Sequence, residues 1–214
     1  MDIRHYYHVY AAGAWSQPVR DHFDALGHSG FDGDIVIGLV GPEHDRQMAR
    51  EMIGMHLWAR GLADPIKWIE ADSGWEQVTL QQIHVDLSSI PGELAVLYAH
   101  TKGAMDNSEW NEVWRRSMTR RVVSDWRSCV AMLGDYQTVG CHWLTPERDH
   151  DPPKRPITTP MYGGNFWWAR ASYLRELPPL GTDYRHQAEE WVGLGNPKAR
   201  DLLPGWPSRK LCRS

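Results

Sequence analysis

One stretch of the chain has the pattern of a buried strand with a charged end: Leu94-Ala95-Val96-Leu97-Tyr98-Ala99-His100-Thr101-Lys102-Gly103. A continuous apolar run is typical of a strand that is covered on both faces, as in a parallel sheet between helices. Open α/β sheets bind their ligands beyond the carboxyl ends of the strands. We therefore expect His100 and Lys102 to face a ligand; a plain turn with a solvated lysine is the alternative.

A second segment combines glycines, an amide, aromatic side chains and a cation: Gly163-Gly164-Asn165-Phe166-Trp167-Trp168-Ala169-Arg170. Because side chains alternate along a strand, Trp167 and Trp168 point to opposite faces. We expect one face of this strand to pack in the core and the other to line the cleft.

Composition limits the class of protein. The 214 residues suit a single domain, residues 1–214, and 23 Lys and Arg against 27 Asp and Glu leave no excess of positive charge for general polyanion binding. The three cysteines lie far apart, which argues against a disulfide framework and against a CxxC metal site. No apolar signal core follows Met1 and no run of about 18 apolar residues occurs, so we predict a cytoplasmic protein with no membrane span.

Short strand-like runs alternate with longer helical patterns, which predicts an α/β fold with a mostly parallel sheet flanked by helices. Strands are expected near residues 5–11, 34–41, 65–70, 94–98, 137–141 and 165–169. Helices are expected near residues 19–26, 48–58, 75–87, 109–133 and 184–194, the first two indicated by Val19, Phe23 and Leu26 and by Met48, Met52, Met55 and Trp58. Five prolines predict a mobile loop over about 145–160, and an irregular tail is expected over about 196–214.

The ordered motifs also carry a resemblance. They are YAHTKG at the strand end, a Trp-rich helix, Val139-Gly140-Cys141, the GGNFWWAR segment followed by Tyr173-Leu174-Arg175-Glu176-Leu177-Pro178, and Glu189-Glu190-Trp191. In this order they resemble a family of small nucleotide-sugar glycosyltransferases of bacterial polysaccharide loci and phages, distantly similar to rhamnan-synthesis-type transferases.

The resemblance spans nearly the whole chain and implies a GT-A-like, Rossmann-type fold. It further implies a hexosyl- or pentosyltransferase that moves a sugar, with inversion, from a nucleotide-sugar donor to an acceptor hydroxyl. The acceptor is a glycan, a protein or a modified DNA base. The alternative is a non-catalytic carbohydrate- or nucleotide-binding protein.

One departure from the GT-A pattern concerns the diphosphate. Where such enzymes commonly carry Asp-x-Asp and a divalent cation, this chain has Ala99-His100-Thr101-Lys102. The ammonium group of Lys102 would neutralise the departing diphosphate, and His100 would donate to a phosphate oxygen. No cofactor is then required, but Mn²⁺ or Mg²⁺ stays open, with Asp106, or His84 with Asp86, as candidate ligands.

The resemblance assigns the remaining roles. On the donor side it implies Tyr10 and Trp15 after the first strand, Glu76 at a helix start, and Arg170, which would pair with Glu190 or touch phosphate.

For the sugar and acceptor it implies Gly164, Asn165, Trp167 and Trp168, with a tryptophan stacking on the sugar ring. A carboxylate base must take the proton of the acceptor hydroxyl, and we place Glu190 before Glu189 in this role.

Overall fold

The computed structural model describes residues 1–106, 108–146, 158–181 and 186–205. Within these ranges seven strands form the larger sheet: β1 (Asp2–Tyr10), β2 (Asp34–Val40), β3 (Lys67–Ala71), β4 (Leu94–His100), β5 (Thr138–Gly140), β8 (Trp167–Arg170) and β9 (Ala199–Asp201). A small second sheet pairs β6 (Trp143–Leu144) with β7 (Met161–Tyr162). The larger sheet has the order β3-β2-β1-β4-β8-β5-β9.

The strands of the larger sheet run in one direction except β8, which is antiparallel to both of its neighbours, β4 and β5. The mostly parallel sheet predicted from the sequence is therefore confirmed. The reversal of β8 has a geometric consequence. Trp167, near its start, pairs with Tyr98 near the carboxyl end of β4, whereas Arg170 pairs with Ala95 near the amino end.

Helices cover both faces of the sheet. They are α1 (Ser16–His28), α2 (Glu43–Ala59), α3 (Gln77–Ser89), α4 (Glu109–Met118), α5 (Trp126–Met132), α6 (Ala171–Glu176) and α7 (Gln187–Glu190). One core contains side chains of α1, α2, α4 and α5, and the other contains side chains of α3, α6 and α7. Neighbouring residues of β1 divide accordingly, with Tyr7 in the first core and Tyr6 in the second. This explains why β2 and β4 are apolar along most of their length.

The longest predicted helix is not one unbroken α-helix. Between α4 and α5 the chain forms a π-helical segment, Thr119–Ser124. Apolar residues here recur at steps of four, and each such step drifts by about 40° around an α-helix of 3.6 residues per turn. The wider π turn takes up this drift, so that Met118, Val122 and Trp126 all reach the core.

The apolar face of α2 differs from the one that the methionines indicate. Met55 is 64% exposed and Trp58 is 86% exposed, whereas the buried positions include Ala49, Ile53 and Leu57. Both the methionine positions and the buried positions recur at a helical period. Which of the two faces is buried is decided by the packing of α2 against the sheet.

Several short elements were not predicted, namely β6, β7, α6 and β9. The predicted tail is therefore not irregular throughout, since β9 pairs in parallel with β5. The late helix is shorter than predicted, because α7 is followed by a 3₁₀ turn, Trp191–Gly193. Residues 147–157 of the predicted loop, residues 184–185 of the predicted helix and residues 206–214 of the tail lie outside the described ranges.

The described cysteines, Cys129 and Cys141, are both buried and free. In the part of the chain covered by the structure, no helix has the length and apolar character needed to cross a bilayer.

Candidate functional site

A polar cavity of about 260 Å³ lies beyond the carboxyl ends of β1 and β4. Its described lining residues are His8, Tyr10, Trp75, Glu76, His100, Thr101, Lys102, Gly103, Ala104, Met105, Asp106, Asn111 and Glu189. They come from two adjacent parallel strands, the approach to α3, the loop after β4, the start of α4, and α7. This is the position at which open α/β sheets bind ligands.

The loop after β4 is fixed by backbone and side-chain bonds. Thr101 donates its backbone N–H to the carbonyl of His8 at 3.0 Å and accepts at Oγ1 from the backbone N–H of Tyr10 at 2.9 Å. From below, the buried Arg115 donates to the carbonyl of Lys102 at 3.3 Å and to Asp21 at 2.8 Å. The start of the loop is therefore held against β1 on one side and α4 on the other.

The ammonium group of Lys102 lies 4.2 Å from the centre of the Trp114 ring, a cation–π contact. Lys102 also lines the cavity. The aromatic ring restricts where the flexible lysine stem can place its charge. The cavity wall thus carries a positioned cation.

Glu76 is the centre of a hydrogen-bond network behind the cavity wall. Its Oε2 accepts from the Tyr98 hydroxyl at 3.1 Å and from Asn165 Nδ2 at 2.6 Å, and its Oε1 lies 3.4 Å from His100 Nδ1. The other ring nitrogen of His100, Nε2, donates to the carbonyl of Gly164 at 2.9 Å. Burial and the charge of Glu76 raise the pKa of Tyr98 well above its usual value, so the hydroxyl stays a donor. Glu76 is thus engaged mainly with protein groups.

His8 lines the same cavity although only 1% of it is exposed. It pairs with His100 on the neighbouring strand, and its Nδ1 lies 2.8 Å from the hydroxyl of Thr79 on α3. Burial lowers the pKa of His8 to about 4, although Glu76 acts in the opposite direction, while His100 also lowers it. The imidazole of His8 is therefore neutral at physiological pH.

The two late acids are in different surroundings. Glu189 lines the cavity, and its Oε2 lies 3.3 Å from His186 Nδ1. Glu190 is only 7% exposed and is not among the lining residues. Of the two acids, Glu189 is therefore the one that lines the cavity, although from the sequence we place Glu190 first.

Asp106, the candidate cation ligand, lies at the cavity edge and accepts from Asn111 Nδ2 at 2.8 Å. The other candidate pair, His84 and Asp86, lies on α3, where Asp86 accepts from Lys67 at 2.7 Å and from Tyr6 at 3.0 Å. In the described ranges no three His, Cys, Asp or Glu side chains converge as a metal site. A cation here would have Asp106 as its protein carboxylate and would depend on ligand oxygens for the rest.

Three predicted ligand-contacting aromatic residues lie in the core instead. Trp15 is 5% exposed and packs in the core on the α1 side. Trp167 and Trp168 are both 0% exposed, one in each core, and Trp168 donates its Nε1–H to the carbonyl of Val122 at 2.8 Å. The predicted alternation of faces is right. The expectation that one face lines the cleft is wrong, because helices cover both faces of β8.

Gly164 and Asn165 lie just behind the cavity. A Cβ on Gly164 would come within 2.7 Å of Met118 Sδ, so its lack of a side chain accommodates protein packing. Asn165 is 0% exposed, has φ of 57°, and donates to Glu76 and to the Ala188 carbonyl, while its Oδ1 accepts from Trp167 at 2.7 Å. Asparagine tolerates this left-handed conformation better than most residues. Both residues support the wall and do not line it.

Arg170 lies far from the cavity, towards the amino end of β4, where it pairs with Glu93 at 3.4 Å. From the sequence we expect Glu190 or a phosphate as the partner of Arg170, but the structure pairs Arg170 with Glu93 instead. The reason is the antiparallel direction of β8, which carries its last residue away from the carboxyl edge.

The structure thus brings together Tyr10, Glu76, His100, Lys102, Asp106 and Glu189 from the predicted set. Sequence reasoning missed His8, Trp75, Thr101 and Asn111 as lining residues. A signal for His8 was present, because it shares a strand face with Tyr10 by two-residue alternation. Asn111 carried no such signal.

Comparison with solved structures relates the fold to known proteins. A structure of residues 1–349 of TarS from S. aureus superposes with a TM-score of 0.51 at 12% identity, covering 94% of this chain and 58% of that one. A second TarS structure gives 0.50 at 11% identity, with coverage of 95% and 35%. The chain therefore spans less than two thirds of either TarS chain.

The galactosyltransferase LgtC, solved with donor and acceptor sugar analogues, gives a TM-score of only 0.38 at 9% identity, covering 94% of this chain and 73% of that one. The likeness to TarS is one of fold, and the predicted GT-A-like α/β fold is confirmed at the level of architecture. No curated protein matches the sequence.

A family model provides the remaining assignment. It matches residues 6–200, which include the sheet core, the loop after β4 and α7. The chain belongs to the family described as "Domain of unknown function (DUF8361)".

Proposed function

We propose that this protein is an inverting glycosyltransferase that moves a sugar from a nucleotide-sugar donor to an acceptor hydroxyl. One observation carries the proposal: in a GT-A-like sheet, a single cavity at the ligand-binding edge is lined by the cation of Lys102 and the carboxylate of Glu189. Leaving-group stabilisation and proton removal are the two tasks that such a transfer requires.

Lys102 is proposed to bind the diphosphate of the donor. Phosphate oxygens that become more negative as the glycosidic bond breaks are stabilised by a cation placed beforehand in a partly enclosed site. The Trp114 ring and the Arg115 bond to the loop hold this cation in place before substrate arrives. His100, whose two nitrogens face Glu76 and the Gly164 carbonyl, is proposed to maintain the wall beside it.

Glu189 is proposed as the general base. The acceptor oxygen forms a bond to the anomeric carbon, and the bond from that carbon to the diphosphate oxygen breaks. The hydroxyl proton passes to the Glu189 carboxylate, and the diphosphate leaves with its electron pair. Glu76 is less suited to this task, because Tyr98 and Asn165 already donate to it.

A divalent cation remains a proposal to be tested. Asp106 is the carboxylate that could hold Mn²⁺ or Mg²⁺ near the loop, since such cations are commonly bound by one or two carboxylates together with substrate phosphates. When bound, the cation would share the neutralisation of the diphosphate.

The function is tested in two stages. A thermal-shift panel of UDP, GDP, CDP, ADP and dTDP, each with and without Mn²⁺ or Mg²⁺, identifies the donor class, because a ligand of the native state raises the melting temperature. The matching nucleotide-sugars are then incubated with the protein, and released nucleoside diphosphate is measured. Binding without release would favour a non-catalytic binding protein, and the absence of both would contradict the proposal. Glycan, protein and modified-DNA acceptors are then compared by the rate of release.

A further inference from the structure

A glycine, a threonine and a histidine from three elements meet beneath the cavity. Gly38 lies opposite His8 in the pairing of β1 with β2, and His8 lies opposite His100 in the pairing of β1 with β4. A Cβ on Gly38 would lie 1.9 Å from the hydroxyl oxygen of Thr79. The missing side chain therefore provides the space in which Thr79 reaches His8.

Gly38 is an unfavourable residue for the inside of a strand. It interrupts the apolar strand β2, in which its neighbours Ile37 and Leu39 are fully buried. Glycine inside a strand weakens it and often marks a site where another group approaches closely. Here the approaching group is a polar side chain. A side chain at position 38 would therefore prevent the contact between Thr79 and His8.

The hydrogen bond between Thr79 and His8 fixes the tautomer of the imidazole. Thr79 is 0% exposed, and its hydroxyl has no other hydrogen-bond partner among the residues that the structure describes. If His8 donated from Nδ1, the hydroxyl hydrogen would have no acceptor, and buried polar groups are nearly always paired. Thr79 therefore donates to Nδ1, and the single ring proton of neutral His8 lies on Nε2.

We propose that His8 is a donor-recognition residue that presents an uncharged Nε2–H to the cavity and donates a hydrogen bond to a hydroxyl oxygen of the sugar being transferred. Thr79 and Gly38 are positioning residues that act through it. The proposal deepens the proposed function and rests on it for the identity of the ligand. The locked tautomer does not depend on that function.

The surroundings of His8 favour a hydroxyl over a phosphate oxygen. A neutral imidazole offers no charge to a phosphate, whereas Lys102 supplies one elsewhere on the cavity wall. The charge of Glu76, which acts on His8, also disfavours an anion beside the imidazole. A sugar hydroxyl, in contrast, can accept from His8 and donate to a carboxylate at once.

A neighbouring cavity offers space for the nucleoside. It shares Tyr10 and Trp75 with the first cavity and is otherwise lined by Val40, Gly41, Pro42, Asp72, Ser73 and Gly74. The donor can therefore extend from one cavity to the other, with its sugar on the His8 side.

The tautomer is tested by nitrogen-15 NMR of histidine-labelled protein at neutral pH, with His8→Phe used to assign the His8 signals. Wild type and Thr79→Ser should show His8 protonated at Nε2, and Thr79→Val should show a mixture of tautomers. Protonation of His8 at Nδ1 in the wild type, or an unchanged spectrum in Thr79→Val, would overturn the positioning role.

The recognition role is tested by calorimetry with two probe pairs, UDP against UDP-glucose and GDP against GDP-mannose. His8→Phe should lose about tenfold in affinity for the nucleotide-sugar and leave the affinity for the nucleoside diphosphate unchanged. His8→Gln, which can place an amide N–H near the position of Nε2, should restore part of the loss and guards against a folding defect in the first variant.

The outcomes separate the two proposals. An equal loss for both members of a pair, or no loss for either, contradicts the sugar contact while leaving the transferase proposal standing. If wild-type protein binds neither these four probes nor any nucleoside diphosphate of the thermal-shift panel, the proposed function and the sugar contact both fail, and the NMR result then decides the tautomer by itself.

Discussion

The loop after β4 and the segment leading into β8 carry similar kinds of side chain, yet the structure uses them differently. Lys102 and His100 line the cavity, whereas Trp167, Trp168 and Asn165 are all 0% exposed. The first segment leaves a parallel strand at the ligand-binding edge. The second enters an antiparallel strand that is covered on both faces. Position in the sheet, and not the content of polar and aromatic residues, separates the segment that lines the cavity from the one that supports its wall.

The largest expected effect tests the supporting segment. Trp168→Ala removes a fully buried ring and its bond to the Val122 carbonyl, so we expect the free energy of unfolding to fall by about 3–5 kcal/mol. Urea unfolding measures this. Trp58→Ala is the matched control, because Trp58 is 86% exposed and its loss should change stability by no more than about 0.5 kcal/mol. Similar losses of unfolding free energy for Trp168→Ala and Trp58→Ala would contradict a supporting role in the core for Trp168.

The next effect concerns Glu189, the residue that we propose as the base. Glu189→Gln keeps the size of the side chain but cannot take a proton, so transfer should fall roughly 10²-fold or more with nucleoside diphosphate affinity retained. Initial rates of diphosphate release provide the measurement. Glu190→Gln, with its carboxyl buried outside the cavity lining, should keep most of the activity. The reverse result would restore Glu190 as the base.

A smaller effect is expected at the lysine. Lys102→Met keeps the apolar stem near Trp114 and removes the charge, so affinity for the nucleoside diphosphate should fall about tenfold or more with little change in melting temperature. Calorimetry measures the affinity. Lys198→Met is the control, since Lys198 makes a comparable contact with Tyr136, 5.1 Å from the ring centre, away from the cavity. Equal behaviour of the two variants would argue against a diphosphate site at Lys102.

The smallest effect is expected at the end of β8. Arg170→Ala breaks a partly exposed pair with Glu93, and such pairs contribute about 0–1 kcal/mol. Stability should therefore change little, and both diphosphate affinity and transfer should match wild type. A loss of diphosphate affinity in this variant would contradict the placement of Arg170 away from the donor.

Much of the fold could be predicted because each central strand is a short apolar run that must be covered on both faces. That pattern indicated β2 and β4, and the alternation of strand-like and helical segments indicated the parallel sheet. The elements that were missed, such as α6 and β9, are short, and their few residues carry too little periodicity to be recognised. The mistaken apolar face of α2 has another cause, since two sets of residues fit the same period and only packing against the sheet selects Ile53 and Leu57.

The candidate site could be predicted in part for the same reason. Lys102 and His100 follow a buried strand, so their location was implied by local sequence. Arg170 and Trp168 could not be placed in this way, because nothing in their own segment shows that β8 runs antiparallel. His8 was missed although it shares a strand face with Tyr10, because most of the residues around it in β1 have the pattern of a core strand.

By itself, the sequence determined the alternation of buried strands and helices and the charge at the end of β4, because both are encoded in neighbouring residues. Only the tertiary structure decided which polar residues share a cavity. Residues from distant parts of the chain are brought together by the directions of the strands, by the helices that cover them and by the missing side chain at Gly38. These contacts depend on how whole elements pack against one another.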